Sequence, residues 1–223
     1  AEGLRVAIVP QPNWQDDLRD FKKMGTPRLF FAVTAGNMDS MVNHYTANNR
    51  LRSEDAYTAG GEARKRPDYA TITYCNILKK LYPDVPIVIG GIEASLRRVT
   101  HYDYWSDKLM PSILADSKAD LLVYGMGEKS LKALINRMKA GEKLNEITDI
   151  PQTAFLSKQV PASELNIVEL VSHETCLVDK KLYASNFRIV EVESNQMKGA
   201  RLIQKVGEKW VIINPLFPPW QPE

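Results

Sequence analysis

The feature that most constrains this chain is a set of short, almost unbroken apolar runs spaced at helix-sized intervals. Leu29-Phe30-Phe31-Ala32-Val33, Pro86-Ile87-Val88-Ile89-Gly90 and Leu121-Leu122-Val123-Tyr124 hold no charged side chain. A strand with one wet face alternates apolar and polar residues. An unbroken apolar run marks a strand covered on both faces, as in a parallel sheet. Leu4-Arg5-Val6-Ala7-Ile8-Val9 precedes these runs, and Thr153-Ala154-Phe155-Leu156 is a weaker member after them. Helical patterns lie between. Asp16 to Met24 is short and moderately amphipathic. Pro67 to Tyr82 sets Ala70, Tyr74, Ile77, Leu78 and Leu81 on one face, with Pro67 suited to the first turn. Glu128 to Ala140 places Leu131, Leu134, Ile135 and Met138 at i, i+3, i+4 and i+7, and Gly141 closes it. The alternation predicts an α/β fold: a doubly wound, mostly parallel, Rossmann-like or flavodoxin-like sheet.

The last third reads differently. Arg201–Val206 and Lys209–Ile213, joined by Gly207-Glu208, predict a C-terminal β-hairpin extension. Glu174 to Val190 reads as a helix of weak periodicity. The proline-rich stretch Pro215 to Pro222 suits neither a central strand nor a helix and reads as an extended linker. The expected organisation is a flavodoxin-like, cobalamin-binding-like domain over 1–172 and a helix-plus-hairpin connector over 173–223. At the other end, Glu2-Gly3 before Leu4–Val9 reads as a helix C-terminus with its C′ glycine, leading into a buried strand. That predicts a strand and helix upstream of Ala1.

Charge and cysteine content exclude several functions. With 29 basic and 27 acidic residues the net charge is +2, which makes no electrostatic case for nucleic acid or a membrane surface. No apolar run approaches the roughly 18 residues that span a bilayer. The two cysteines, Cys75 and Cys176, form no CxxC or CxxxCxxC, so this chain holds no four-cysteine zinc or iron–sulfur site. A reduced, cytoplasmic protein is the expectation, with Cys75 a small core residue. His44, His101 and His173 lack metal spacing. His173, Glu174 and Cys176 lie near one another, but no strand-end turn is evident there, so they are not read as a site. Neither a P-loop nor a G-x-S-x-G elbow is present.

Ligands of α/β sheets bind where helix N-termini follow the carboxyl ends of strands. Three turns qualify. In Thr34 to Ser40, Asn37, Asp39 or Ser40 either caps the next helix or contacts a ligand. In Gly90-Gly91-Ile92-Glu93, paired glycines serve close ligand approach or simply a tight turn. The third is Gly125-Met126-Gly127-Glu128. After the second turn, Arg97 to Lys108 packs two arginines, His101, Asp103, Asp107, Tyr102, Tyr104 and Trp105 into twelve residues. That composition suits a flat ligand or a domain interface, and also an internally packed loop. Met41 to Arg50, leading to the basic Arg52, Arg64, Lys65 and Arg66, suits either a phosphate or carboxylate or a solvated loop. The candidate ligand- or domain-facing residues are Asn37, Asp39, Gly90, Gly91, Glu93, Arg97, His101, Tyr102, Asp103, Gly125, Gly127 and Glu128; no catalytic or metal residue is assigned.

Four strings carry a resemblance: LFFAVTAGNMDSMVNHYTANNRLRSEDAYTAGG, RPDYATITYCNILKKLYPDVPIVIGGIEASLRRVTHYDYWSD, SKADLLVYGMGEKSL and NFRIVEVESNQMKGARLIQKVGEKWVIINP. They resemble the N-terminal region of YgiQ-family radical SAM proteins over nearly the whole chain. The resemblance implies a flavodoxin-like domain joined to a partial TIM-type barrel, in which a CxxxCxxC holds a 4Fe–4S cluster that binds and reductively cleaves S-adenosylmethionine. The chain itself would bind no cofactor and would partner its own barrel and a small-molecule or unknown substrate. The family's DHPSFG-like segment, which would precede Ala1, and the cysteine motif, which would follow Pro222, are not in these residues. The GG and GxGE turns look like those of cobalamin-binding domains. The D-x-H-x-x-G of histidine-ligated cobalamin is impossible here, because Val42, Val99 and Val171 stand two before the histidines. The alternatives are a stand-alone cofactor- or nucleotide-binding module, and an interaction module with an apolar face around Trp210, Phe217 and Trp220.

Overall fold

Residues 3–196 and 198–217 are described by the structure, a computed structural model. In chain order, helix α1 (Arg19–Lys22) precedes strand β1 (Phe31–Val33), α2 (Ser40–His44), α3 (Ala70–Leu81) and β2 (Ile87–Ile89). Then come α4 (Gly91–Leu96), the hairpin β3 (His101–Asp103) and β4 (Lys108–Met110), α5 (Ile113–Ser117), β5 (Leu121–Val123) and α6 (Glu128–Lys139). The last part holds β6 (Thr153–Ser157), β7 (Ile167–Leu170), α7 (His173–Val178), α8 (Lys180–Ser194), β8 (Arg201–Val206) and β9 (Lys209–Ile213).

The apolar runs join a seven-stranded sheet of order β1-β2-β5-β6-β9-β8-β7, in which β2 and β5 lie inside and β1, expected to be covered on both faces, is an edge strand. β1, β2 and β5 are parallel. β6 runs antiparallel to β5 and to β9, and β7 pairs parallel with β8. The α/β class, the parallel strands and the C-terminal hairpin are therefore as expected. The hairpin extends the sheet, with Lys205 opposite Trp210 and Val206 opposite Lys209. The boundary expected at 172/173 falls between β7 and α7, and strands from both sides of it hydrogen-bond in this one sheet.

Burial on both faces explains why the β2 and β5 runs are unbroken, whereas β1 at the edge leaves Ala32 exposed. Ile87, Ile89, Leu122, Ala154, Leu202, Val211 and Ile213 face one core, closed by Tyr74, Cys75 and Leu78 of α3 and Ile113 and Leu114 of α5. Val88, Leu121, Val123, Phe155, Ile203 and Ile212 face a second core on the other side, closed by Leu134 of α6 with Leu144, Ile147 and Ile150. Each buried aliphatic side chain contributes about 1.5–3 kcal/mol relative to exposure.

Several local expectations are corrected. Leu4–Val9 is not a buried strand: Val6 and Ile8 are 77% and 84% exposed, and among the described residues the segment pairs with no strand. An apolar run becomes a strand only where a neighbour supplies backbone partners. Glu2, read with Gly3 as a helix end, lies outside the described residues, as do Pro218 to Pro222 of the expected linker. The Asp16–Met24 helix shrinks to α1, because Asp16 and Asp17 accept from Leu18 and Arg19 N–H in local turns and Leu18 takes a left-handed conformation. The Pro67–Tyr82 helix starts only at Ala70, since Tyr69 is also left-handed. The Glu174–Val190 helix divides at Asp179, whose extended backbone ends α7 and whose carboxylate caps α8 through Lys181 and Leu182 N–H. α6 ends at Gly141 in the left-handed conformation, as its spacing predicts. Trp210 is half-buried against the second core and Phe217 is half-buried under the Lys129 ammonium, so neither builds the expected apolar face; Trp220 lies outside the described residues.

Leu122→Ala is expected to cost about 2–5 kcal/mol in urea unfolding, because it empties a fully buried central position. Val6→Ser with Ile8→Ser should stay within about 0.5 kcal/mol of the parent. A large loss in the second variant would show that residues 4–9 are packed after all.

Candidate functional site at the carboxyl edge of the parallel strands

The three glycine-bearing turns converge as the topology requires. Thr34–Asp39 follows β1, Gly90-Gly91 follows β2, and Tyr124–Gly127 follows β5. Gly91 has φ +81, and a Cβ there would stand 2.4 Å from Thr34 Oγ1. A Cβ on Gly127 would stand 2.7 Å from Val123 Cγ1. Protein neighbours thus leave no room for a side chain at either glycine, and the positive φ of Gly91 adds backbone strain against one. Gly90 packs on the Val123 carbonyl, and Gly125 N–H donates to Ser95 Oγ at 3.3 Å. Gln152 donates to the carbonyls of Tyr124 and Met126, holding the third turn. Asn37 and Glu128 are exposed at the edge.

The charged candidates meet in a buried polar knot. Glu93, 1% exposed, accepts from Ser40 N–H (2.8 Å), Ser40 Oγ (2.6 Å) and Thr71 N–H (2.9 Å). Asp39 caps α2 through Met41 and Val42 N–H and is ion-paired with Arg97, both partners buried. Arg97 also donates to the Glu93 carbonyl. Asp103 accepts from Tyr69 OH (2.8 Å) and Ser106 N–H (2.9 Å). Burial alone would raise the Asp103 carboxyl, but the bonds from Ser106 and Tyr69 outweigh it and hold the group below the usual carboxylate range. Tyr102 is exposed and donates to Asp107. His101 donates Nδ1–H to the Val99 carbonyl at 3.2 Å, and burial pulls its pKa down to about 4.

Beside the knot lies an open cavity of about 450 Å³, walled by α2, the 45–66 loops and the start of α3. Arg66 bridges the two features. It grips Asp55 through Nε and Nη2 (3.0 and 3.1 Å) and donates to the Ala35 carbonyl. Burial works against the Asp55 charge, but the bond from Tyr57 N–H and the Arg66 guanidinium hold the carboxyl low. His44 Nδ1 faces Asp68 at 2.8 Å, and Tyr45 OH donates to the other Asp68 oxygen at 2.7 Å. Of these, Asp55, Asp68 and the cavity residue Trp14 carried no sequence signal: their partners are distant in the chain and no spacing rule joins them. His173 corrects a further reading. It does stand in a strand-end turn, opening α7 after β7, with Nδ1 3.1 Å from Thr100 Oγ1. β7 escaped notice because Glu169 interrupts its apolar run.

His101 yields a pH test. Its folded-state pKa is depressed, so the unfolded chain binds the proton first. The contribution is present above about pH 6.5 and is lost as pH falls towards 4. His101→Gln should remove that slope from urea unfolding measured between pH 7 and 4; an unchanged slope would show that the ring stays protonatable in the fold.

Comparison with known proteins places these features. The Radical SAM N-terminal family model matches residues 1–223. A UPF0313 protein of Porphyromonas gingivalis is 59% identical, the match covering 98% of this chain and 35% of that protein. A UPF0313 protein of Bacteroides thetaiotaomicron is 56% identical over all of this chain and 38% of its own length, and one of Clostridium botulinum is 46% identical over all of this chain and 34% of its own. The chain thus spans about a third of the length of the curated relatives it matches. No solved structure matches. On a match that runs from its first residue to its last, the chain belongs to the Radical SAM N-terminal family.

Proposed function

We propose that this chain is the N-terminal accessory domain of a cytoplasmic, YgiQ-type radical SAM enzyme and that the carboxyl edge of β1, β2 and β5 packs against the catalytic domain. The 4Fe–4S cluster and S-adenosylmethionine belong to that other domain. The residues present do not fit such a cluster. Cys75 is buried in the main core on α3, and Cys176 is buried on α7 against the Val171 carbonyl and Asn186. Burial pushes both thiols up, away from the thiolate form that ligates metal. No group of three or more His, Cys, Asp or Glu among the described residues is arranged to hold a metal ion. No helix among them is long and apolar enough to cross a membrane.

The observation that carries the proposal is an apolar patch on this edge. α4 exposes Ile92 (52%) and Leu96 (63%) one turn apart, and Met126 (78%) stands in the neighbouring turn, which Ser95 ties to α4. Large apolar side chains grouped on a polar rim mark a docking surface. Phe217 reaches the same edge, its N–H donating to Gln152, the residue that holds the Met126 turn. The chain therefore comes back to the patch after finishing the sheet. In this role the domain's own chemistry is positional: a rigid knot sets the loops, and the loops shape one wall of the reaction chamber.

Leu96→Asp with Met126→Asp tests this. The pair should leave the urea midpoint of the 223-residue chain unchanged, because both side chains are exposed. In the intact protein, reductive cleavage of S-adenosylmethionine to 5′-deoxyadenosine should fall by about tenfold or more as the domains separate. An intact variant with parental turnover would overturn the reading. Anaerobic iron and sulfide reconstitution of the chain alone should give no brown species absorbing near about 400 nm.

A further inference from the structure

We propose that the cavity beside the knot binds a small ligand whose oxyanion, a phosphate or a carboxylate, is held by Arg52 and Arg64, with a second polar atom on Nε2 of His44. The proposal does not rest on the accessory-domain reading.

Size is the first argument: about 450 Å³ falls within the range of small-molecule sites. Charge is the second. Three carboxylates line the cavity, and two are already matched. Asp55 is gripped by the buried Arg66, and Asp68 accepts from His44 and Tyr45. Glu54 is the third, and it stands exposed. Arg52 and Arg64 line the same space, and their guanidinium groups enter no ion pair among the described residues. The three lining arginines equal the three lining carboxylates in number, and Arg52 and Arg64 are the two arginines left outside any ion pair. A guanidinium pair is suited to the two oxygens of a carboxylate or phosphate.

The third argument is His44. The residue is 6% exposed, and its Nε2 is buried with no hydrogen-bond partner. Leaving a buried polar group unmatched costs about 1–3 kcal/mol. Asp68 fixes the ring by its bond to Nδ1, so Nε2 is the nitrogen left for another molecule. The ring has little freedom to escape. α2 is capped by Asp39, the His44 carbonyl accepts from Arg52 N–H at 2.8 Å, and Tyr45 bridges to Leu51. The same hydrogen bond ties Arg52 to the histidine it would assist. Trp14 and Tyr45 add aromatic wall. The Trp14 indole N–H is already committed to the Lys65 carbonyl, so that ring offers contact area rather than a donor.

The test uses inorganic pyrophosphate and citrate as probes of the two oxyanion sources, at constant ionic strength set with chloride. Titration is followed by the His44 ring signals in long-range ¹H–¹⁵N spectra. Either probe is expected to shift those signals saturably below about 10 mM, and the tighter of the two names the source. Arg52→Gln with Arg64→Gln should weaken that binding at least about tenfold while leaving the urea midpoint unchanged, since both side chains are exposed. Two results would overturn the proposal: His44 signals that do not saturate with either probe, or undiminished affinity in the double variant, which would mean ions gathering on the surface at large.

Discussion

A single buried carboxylate holds this fold's working edge together. Glu93 sits on α4 with almost no exposure, where an unpaired charge would be prohibitively costly. It is matched by donors from two other helices: Ser40 at the start of α2 and Thr71 at the start of α3. The match is also a cap. Tyr69, at the N-cap of α3, supplies no side-chain bond, so the first N–H groups of that helix turn to Ser40 Oγ and Glu93 instead. α3 in turn covers the main core with Tyr74, Cys75 and Leu78. The order of the loops above the sheet and the packing below it therefore share one carboxyl group.

This arrangement divides the edge into two kinds of surface. The acidic and basic residues nearest the strand ends, Asp39, Glu93, Arg97 and Asp103, bond to one another, to backbone and to the Ser40 and Tyr69 hydroxyls, and leave only Arg97 Nε and Asp103 Oδ1 buried without a partner. What they leave outward is apolar: Ile92, Leu96 and Met126. To one side lies the cavity around His44, Arg52 and Arg64. A rigid knot between the two surfaces, with Arg66 reaching from the cavity wall to the Ala35 carbonyl, connects anything bound in the cavity to the turn after β1 through a short chain of bonds. Such a connection is a physical path between the two surfaces.

The central strands were legible because burial on two faces leaves an unmistakable mark: no polar residue survives in Ile87-Val88-Ile89 or Leu121-Leu122-Val123. Gly141 and the β8–β9 turn were legible for a similar reason, since a left-handed residue after a helix and a two-residue turn have strong local chemistry. β7 was not, because it is an edge strand with Glu169 in it, and an edge tolerates polarity that the centre does not. Leu4–Val9 misled for the converse reason. Its residues suit a strand, but pairing is a property of two segments and cannot be read from one.

The sequence by itself determined the α/β class, the central strands, the family resemblance and the absence of cluster-binding cysteines, because each of these rests on residue type or short-range spacing. It also named most of the residues at the strand ends. Only the tertiary structure decided what those residues do. Whether Glu93 faces a ligand or caps a helix twenty-two positions away, and whether Asp68 meets His44, depends on which helices the sheet brings together. Hydrogen-bond partners separated by tens of residues leave no period in the chain, so their pairing becomes visible only when the core has closed.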